Sequence, residues 1–265
     1  VIQADRGETE MKIVIRTLLG IALMIPAADS WPQNLEQIVQ NHIEIRGGYE
    51  AFKNIQSFRI MGRTVRRGME TSFTACMKKP EKFRYETEFG GNPILFGFDG
   101  ENAWNTISQG PSGRRGDTGA TARGSRNMMM RTLPDLEGPL VDYESKGFSL
   151  EWLGNESMEG TEVIKLKLTG EDGAERFLYL DSEYYVILKE TSIREFRGNT
   201  MEMETYYSDY KEVDGLMIAH TMETRMGGGA DRPMGGAGSQ TVIESIEINP
   251  QLDDSLFEDP ARKNL

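Results

Sequence analysis

The sequence predicts an α+β domain built mainly of antiparallel β-strands. From Glu81 to Phe89, the residues Phe83, Tyr85, Thr87 and Phe89 alternate with Lys82, Arg84, Glu86 and Glu88. One face of such a run is apolar and the other charged, as a half-buried antiparallel strand requires. Similar runs recur along the chain, separated by short turn signals rather than by helical stretches. A helical period is clear only near the start, which argues against a parallel βαβ architecture.

Taken in order, the chain first offers an export signal. Lys12 and Arg16 follow Met11, Thr17 to Ala28 is uncharged and mostly apolar, and Ala28-Asp29-Ser30 supplies small residues. That succession reads as a secretory signal peptide, with cleavage expected after Ser30 and Trp31 as the first mature residue. The apolar run is shorter than the roughly 20 residues a membrane-spanning helix needs. Residues 1–10 are polar and acidic, unlike a targeting region, so Met11 is the expected initiator. No cysteine stands directly after the apolar run, so a soluble rather than lipid-anchored mature form is expected, with residues 31–265 as one domain.

Leu35, Ile38, Val39, His42 and Ile43 then recur at helical spacing, and Gly47-Gly48 should end that helix. Tyr49, Phe52 and Ile55 suggest a second, short one. Strands are expected at Phe58–Arg66, Glu70–Lys78, Glu81–Phe89, Thr161–Leu168, Arg176–Leu180, Tyr185–Ile193, Met201–Tyr210, Leu216–Arg225 and Thr241–Ile248. Arg67-Gly68, Asp99-Gly100, Asp172-Gly173, Gly198-Asn199 and Asp214-Gly215 are the turns between them. Two stretches interrupt this meander. Gln109–Arg126, rich in Gly, Ser, Thr and Arg, reads as a mobile loop that leads into helical segments through Tyr143. Gly227–Ser239 reads as a glycine-rich hairpin loop.

Composition narrows the chemistry. A formal net charge of −12 argues against nucleic acid as a partner. The single cysteine, Cys76, lies in an apolar-alternating run and reads as a buried small hydrophobe. The 2 histidines, His42 and His220, lie far apart on a predicted helix and a predicted strand, and each reads as structural. There is no HExxH, GxSxG, CxxC or P-loop. No cofactor, metal site or enzymatic activity is therefore expected.

Several segments, in order, resemble the outer-membrane lipoprotein-sorting family, the LolA-like periplasmic carriers. They are HIEIRGGYEAFKNIQSFRIMGR, KKPEKFRYE, FDGENAWN, PDLEGPLVDYESKG, YYSDYKEVDGLMIAH and IESIEINPQLDDSLFEDP. The resemblance implies a curved, incomplete antiparallel β-barrel wrapped around helices, with an apolar inner surface for acyl chains and a lid. The residues it points to are Phe83, Tyr85, Phe89, Trp104, Leu133, Leu136, Leu140, Phe177 and Tyr179. For any one of these, an ordinary core role is the alternative. It also implies an arginine that holds the lid, and Arg59, Arg63, Arg66 and Arg84 are the candidates considered. The expected ligand is a lipid or the acyl chains of a lipoprotein, with an envelope receptor or transporter as partner. An envelope sensor that binds lipoproteins without moving them is the alternative. The chain is not expected to be an integral membrane protein.

Overall fold

The structure is a computed structural model that describes residues 34–89, 91–106, 136–196, 199–228 and 238–260. All of them belong to one compact unit, Asn34–Leu265. The expected export signal and the Arg/Gly-rich loop at 109–126 lie outside the described residues.

Two helices come first, α1 (Leu35–Ile45) and α2 (Tyr49–Lys53). Asn34 caps α1, its side chain accepting from the Gln37 N–H at 2.7 Å. The helix closes in a Schellman turn: Gly48 N–H donates to Ile43 O at 2.9 Å and Gly47 N–H to Glu44 O at 3.1 Å. Gly47 adopts φ 118°, and a Cβ there would lie 2.4 Å from the Gly215 carbonyl oxygen. The glycine pair thus ends the helix and lets it press against the Asp214-Gly215 turn.

The rest is one 12-stranded sheet. Its strands are β1 (Ser57–Arg66), β2 (Met69–Lys78), β3 (Lys82–Phe89), β4 (Asn92–Phe98), β5 (Ala103–Asn105) and β6 (Phe148–Met158). Then follow β7 (Thr161–Gly170), β8 (Glu175–Asp181), β9 (Ile187–Phe196), β10 (Asn199–Val213), β11 (Leu216–Gly228) and β12 (Ser239–Ile248). The spatial order is β5-β4-β3-β2-β1-β12-β11-β10-β9-β8-β7-β6, and the paired strands run antiparallel. The chain walks outward from β1 to one edge, resumes at the opposite edge with β6, and returns until β12 pairs with β1. The sheet is curved but not closed, because β5 and β6 remain edges.

The expected strands are present. The structure adds β4, β5 and β6, for which the alternation gave no signal. β4 is apolar on both faces, β5 has three residues, and a bulge between Trp152 and Gly154 breaks the period of β6. One expectation is corrected. The described part of the segment expected to be helical, Leu136–Gly147, is a series of turns. Gly138, Asp142 and Gly147 take positive φ of 78°, 49° and 79°, and Pro139 lacks an N–H, so no α-helix can run through them.

Both helices and this turn segment pack on the same face of the sheet, here the inner face. One inner cluster joins Phe52, Phe58, Ile60, Phe83, Phe98, Leu136, Val141 and Ile218. The other joins Ile38 and Leu140 to Ile164, Leu166, Leu168, Leu178 and Leu180. A short 3₁₀ helix, Asp254–Phe257, covers a smaller cluster with Cys76 and Leu252 on the outer face.

Candidate functional site

Cross-strand register builds an aromatic panel on the inner face. Phe83 of β3 lies opposite Phe98 of β4, and Tyr85 opposite Phe96. The rings of Phe83 and Phe98 stack at 6.3 Å, those of Phe73 and Tyr85 at 5.6 Å, and those of Tyr85 and Phe96 meet tilted at 6.4 Å. Phe83 is 1% exposed, sealed by the cluster that includes Phe52 and Leu136. Tyr85 and Phe96 are half-buried at its border. Burial lifts the Tyr85 phenol above its ordinary pKa.

Leu136 and Leu140 pack on the inner face, the first in the aromatic cluster and the second in the leucine-rich one. Their segment is fastened by Arg46, from the C-cap of α1. Its Nη2 donates to Leu136 O at 2.8 Å, its Nη1 to Glu137 O at 3.0 Å, and its Nε to Met217 O at 3.4 Å. The guanidinium also lies over the Phe52 ring at 4.9 Å. A planar fork can bridge neighbouring main-chain carbonyls in this way, whereas an ammonium cannot. Gly138 makes room, because a Cβ there would fall 2.6 Å from Arg46 Nη1. Lys146 Nζ adds a bond to Gly138 O at 2.8 Å, and Lys79 pairs with Glu137 at 3.3 Å. The arginine that holds a covering segment is therefore Arg46 and none of the four considered from sequence. Arg59 and Arg63 pair with Glu247 and Glu244 on the outer face instead.

Trp104, Phe177 and Tyr179 do not join the panel. Trp104 lies opposite Gly97 on the outer face, where a Cβ on Gly97 would sit 2.1 Å from its ring. Its indole N–H donates to Phe257 O at 2.7 Å. In β8 the fully buried residues are Leu178 and Leu180, which turns Phe177 and Tyr179 outward. There Lys165 lies over both rings at 5.9 and 5.1 Å, and Lys189 over Tyr179 at 5.3 Å. Aromatic rings under lysine stems make a stable exposed face, so these residues had no need of the core. Leu133 lies outside the described residues. Phe89 closes β3 opposite Asn92, but its side chain lies outside the described set.

Several titratable groups on the inner face are held by hydrogen bonds or ion pairs, while the buried His42 Nε2 has no hydrogen-bond partner among the described residues. His42 is fully buried, and its Nδ1–H donates to Tyr185 O at 2.7 Å, which fixes the tautomer. Burial, with the Arg46 charge nearby, lowers its pKa to about 3. His220 Nδ1–H donates to Ile218 O at 2.9 Å. Glu190 is held by Arg176 at 2.7 Å and by the Tyr207 hydroxyl at 3.3 Å. Burial raises the Cys76 thiol pKa, which disfavours the nucleophilic thiolate. Among the described residues, no cluster of His, Cys, Asp and Glu has the arrangement of a metal site. No helix among them is long and apolar enough to cross a membrane. A groove of about 350 Å³ on the outer face has a mixed lining, with the charged Arg59, Arg84 and Asp253 beside Leu252 and Leu256, and lies apart from the inner aromatic panel.

Solved structures share this architecture. A LolA superfamily protein from Nitrosomonas europaea superposes with a TM-score of 0.53 at 17% identity, over 85% of this chain and 98% of that one. An outer membrane lipoprotein-sorting protein domain from Vibrio parahaemolyticus gives 0.51 at 15% identity, over 84% and 95%. The chain has the LolA-like fold, an open curved barrel of antiparallel strands wrapped around helices. No family model and no curated protein matches its sequence.

Proposed function

We propose that this chain is a non-enzymatic envelope carrier that holds the acyl chains of a lipid or lipoprotein against the inner face of its sheet. The observation that carries the reading is the Arg46 latch over the aromatic panel. A cover made of turns and fastened through main-chain carbonyls can be released without unfolding the sheet beneath it. Tyr85 and Phe96, backed by the buried Phe73, supply a half-buried apolar surface beside that cover, and the fold it shares with a lipoprotein-sorting domain supports the same use. The basic, apolar and small-residue segments at 11–30 support export to the periplasm, where an envelope receptor or transporter would pass the cargo on.

The test is native mass spectrometry of protein purified from the envelope, with extraction of bound lipid, paired with titration of a fluorescent fatty acid. Co-purified acylated cargo and saturable fatty-acid binding are expected. A protein that carries no lipid and does not bind the probe would overturn the carrier reading. Binding without transfer to acceptor membranes would favour a sensor.

A further inference from the structure

The inner face changes character along the strands. Near α1 and α2 it presents Phe58, Ile60, Ile218 and Leu180, all buried. Farther out, β1 presents Thr64, which pairs in register with Thr71 of β2 on one side and Thr241 of β12 on the other. In the returning strands, Thr224 of β11 pairs with Thr205 of β10, and Thr205 with Glu190 of β9. The hydroxyls bond in cross-strand pairs, Thr64 with Thr241 at 3.0 Å and Thr205 with Thr224 at 3.3 Å. Beside them, Glu190 is 8% exposed and its charge is neutralised by Arg176.

Two observations separate this band from ordinary strand polarity. At the same level the outer face is strongly charged: Arg63 pairs with Glu244 and Glu70, Arg225 with Glu223, and Lys189 with Glu204. The inner band carries hydroxyls and a neutralised ion pair instead, interleaved with Met222 opposite Thr241 and Leu178 opposite Glu190. Beyond it, Met203 and Met226 face each other in register at 39% and 40% exposure, so apolar surface returns past the polar strip. A hydroxyl pair holds two hydrogens and spends one on its mutual bond, which leaves one donor for a third group. Such a surface meets a neutral carbonyl without repelling hydrocarbon on either side.

We propose that the threonine pairs of the inner face bind the ester carbonyls that join acyl chains to glycerol, so that the linkage is recognised as well as the hydrocarbon. This rests on the acyl-carrier reading above. The ester could belong to a phospholipid or to the diacylglyceryl group of a lipoprotein, since both present the same carbonyls.

The experiment compares a diester phospholipid with its diether analogue, of identical chains and headgroup, as competitors of a bound fluorescent fatty acid. One or two hydrogen bonds at about 1 kcal/mol each predict roughly five- to thirtyfold tighter binding of the diester. The double variants Thr64→Val/Thr241→Val and Thr205→Val/Thr224→Val keep side-chain shape and strand propensity, and unchanged thermal unfolding verifies their fold. They should bring the diester down to the affinity of the diether. Equal affinity of the parent for both lipids, or a preference that survives in both variants, overturns the proposal while the carrier reading stands. Failure of the parent to bind the fatty acid at all removes the carrier reading and this one with it. Repeating the comparison with ester and ether forms of a diacylglyceryl-cysteine peptide assigns the source to whichever diester binds more tightly.

Discussion

The Arg46 guanidinium donates to the main-chain carbonyl of Leu136 across 90 residues of sequence, at 2.8 Å and out of water. Carbonyls left without a donor in such a place cost about 1–3 kcal/mol each. Arg46→Ala is therefore expected to destabilise the protein by about 3 kcal/mol, and Arg46→Lys to recover little, because a point charge cannot reproduce the fork. Hydrogen exchange should localise the effect, with amides of Leu136–Val141 losing protection before those of β1 and β12. Uniform loss across the sheet would show that Arg46 is a core residue and not a latch.

The contact between Gly47 and Gly215 predicts a graded response to methyl groups. At Gly47 a Cβ meets the Gly215 carbonyl at 2.4 Å and the backbone is left-handed, whereas Gly173 also has positive φ, 76°, but opens to free space. Gly47→Ala should cost about 2–3 kcal/mol and Gly173→Ala about 1–2 kcal/mol, measured by urea unfolding. Equal costs would mean that the α1 terminus can move away from the Asp214-Gly215 turn.

How much of this was legible in the sequence depended on whether a residue's neighbours were local. Phe83 and Tyr85 alternate with charged residues in one strand, so their face could be read directly. The end of α1 was legible for the same reason, since its Schellman turn lies within Ile43–Gly48. The run Phe177-Leu178-Tyr179-Leu180 is apolar at every position and carries no period, so the sequence does not tell which pair faces inward. The burial of Leu178 and Leu180 and the lysines of β7 and β9 over the rings reveal that Phe177 and Tyr179 point outward. Trp104 sits in a three-residue strand, too short to show alternation. Arg46 left no trace because its partners are main-chain carbonyls remote in sequence, which any residue can supply.

His42 makes stability depend on pH. In the folded protein its pKa is lowered to about 3 from 6.5. Between those values the unfolded chain binds the proton and the folded one does not, so stability falls as pH falls from 6.5 towards 3. At 1.36 kcal/mol per unit the full loss is about 5 kcal/mol, complete near pH 3. Urea midpoints taken across that range should show the slope, and His42→Leu should flatten it despite a cost at pH 7 from the lost hydrogen bond to the Tyr185 carbonyl. An unchanged slope in the variant would assign acid sensitivity to the carboxylates instead.

The aromatic residues offer the sharpest division between core and binding surface. Phe83 is sealed at 1% exposure, so Phe83→Ala should behave as a cavity in a packed core, at about 3–5 kcal/mol. Tyr85 stacks on Phe73 but stands half-buried at the border of that core. Its truncation removes contacts from one side only, and about 1–2 kcal/mol is expected, at the lower end for an aromatic side chain. If the border is where acyl chains lie, Tyr85→Ala should weaken fatty-acid binding far more than its stability cost would suggest. Phe177→Ala, on the outer face, removes a comparable half-buried ring and should leave binding intact. Thermal unfolding and fluorescent fatty-acid titration of the three variants together separate these roles. Loss of binding in Phe177→Ala, or retention in Tyr85→Ala, would move the acyl site off the inner aromatic panel. A ring that mattered only to stability would shift the melting temperature and leave the titration of the folded protein unchanged.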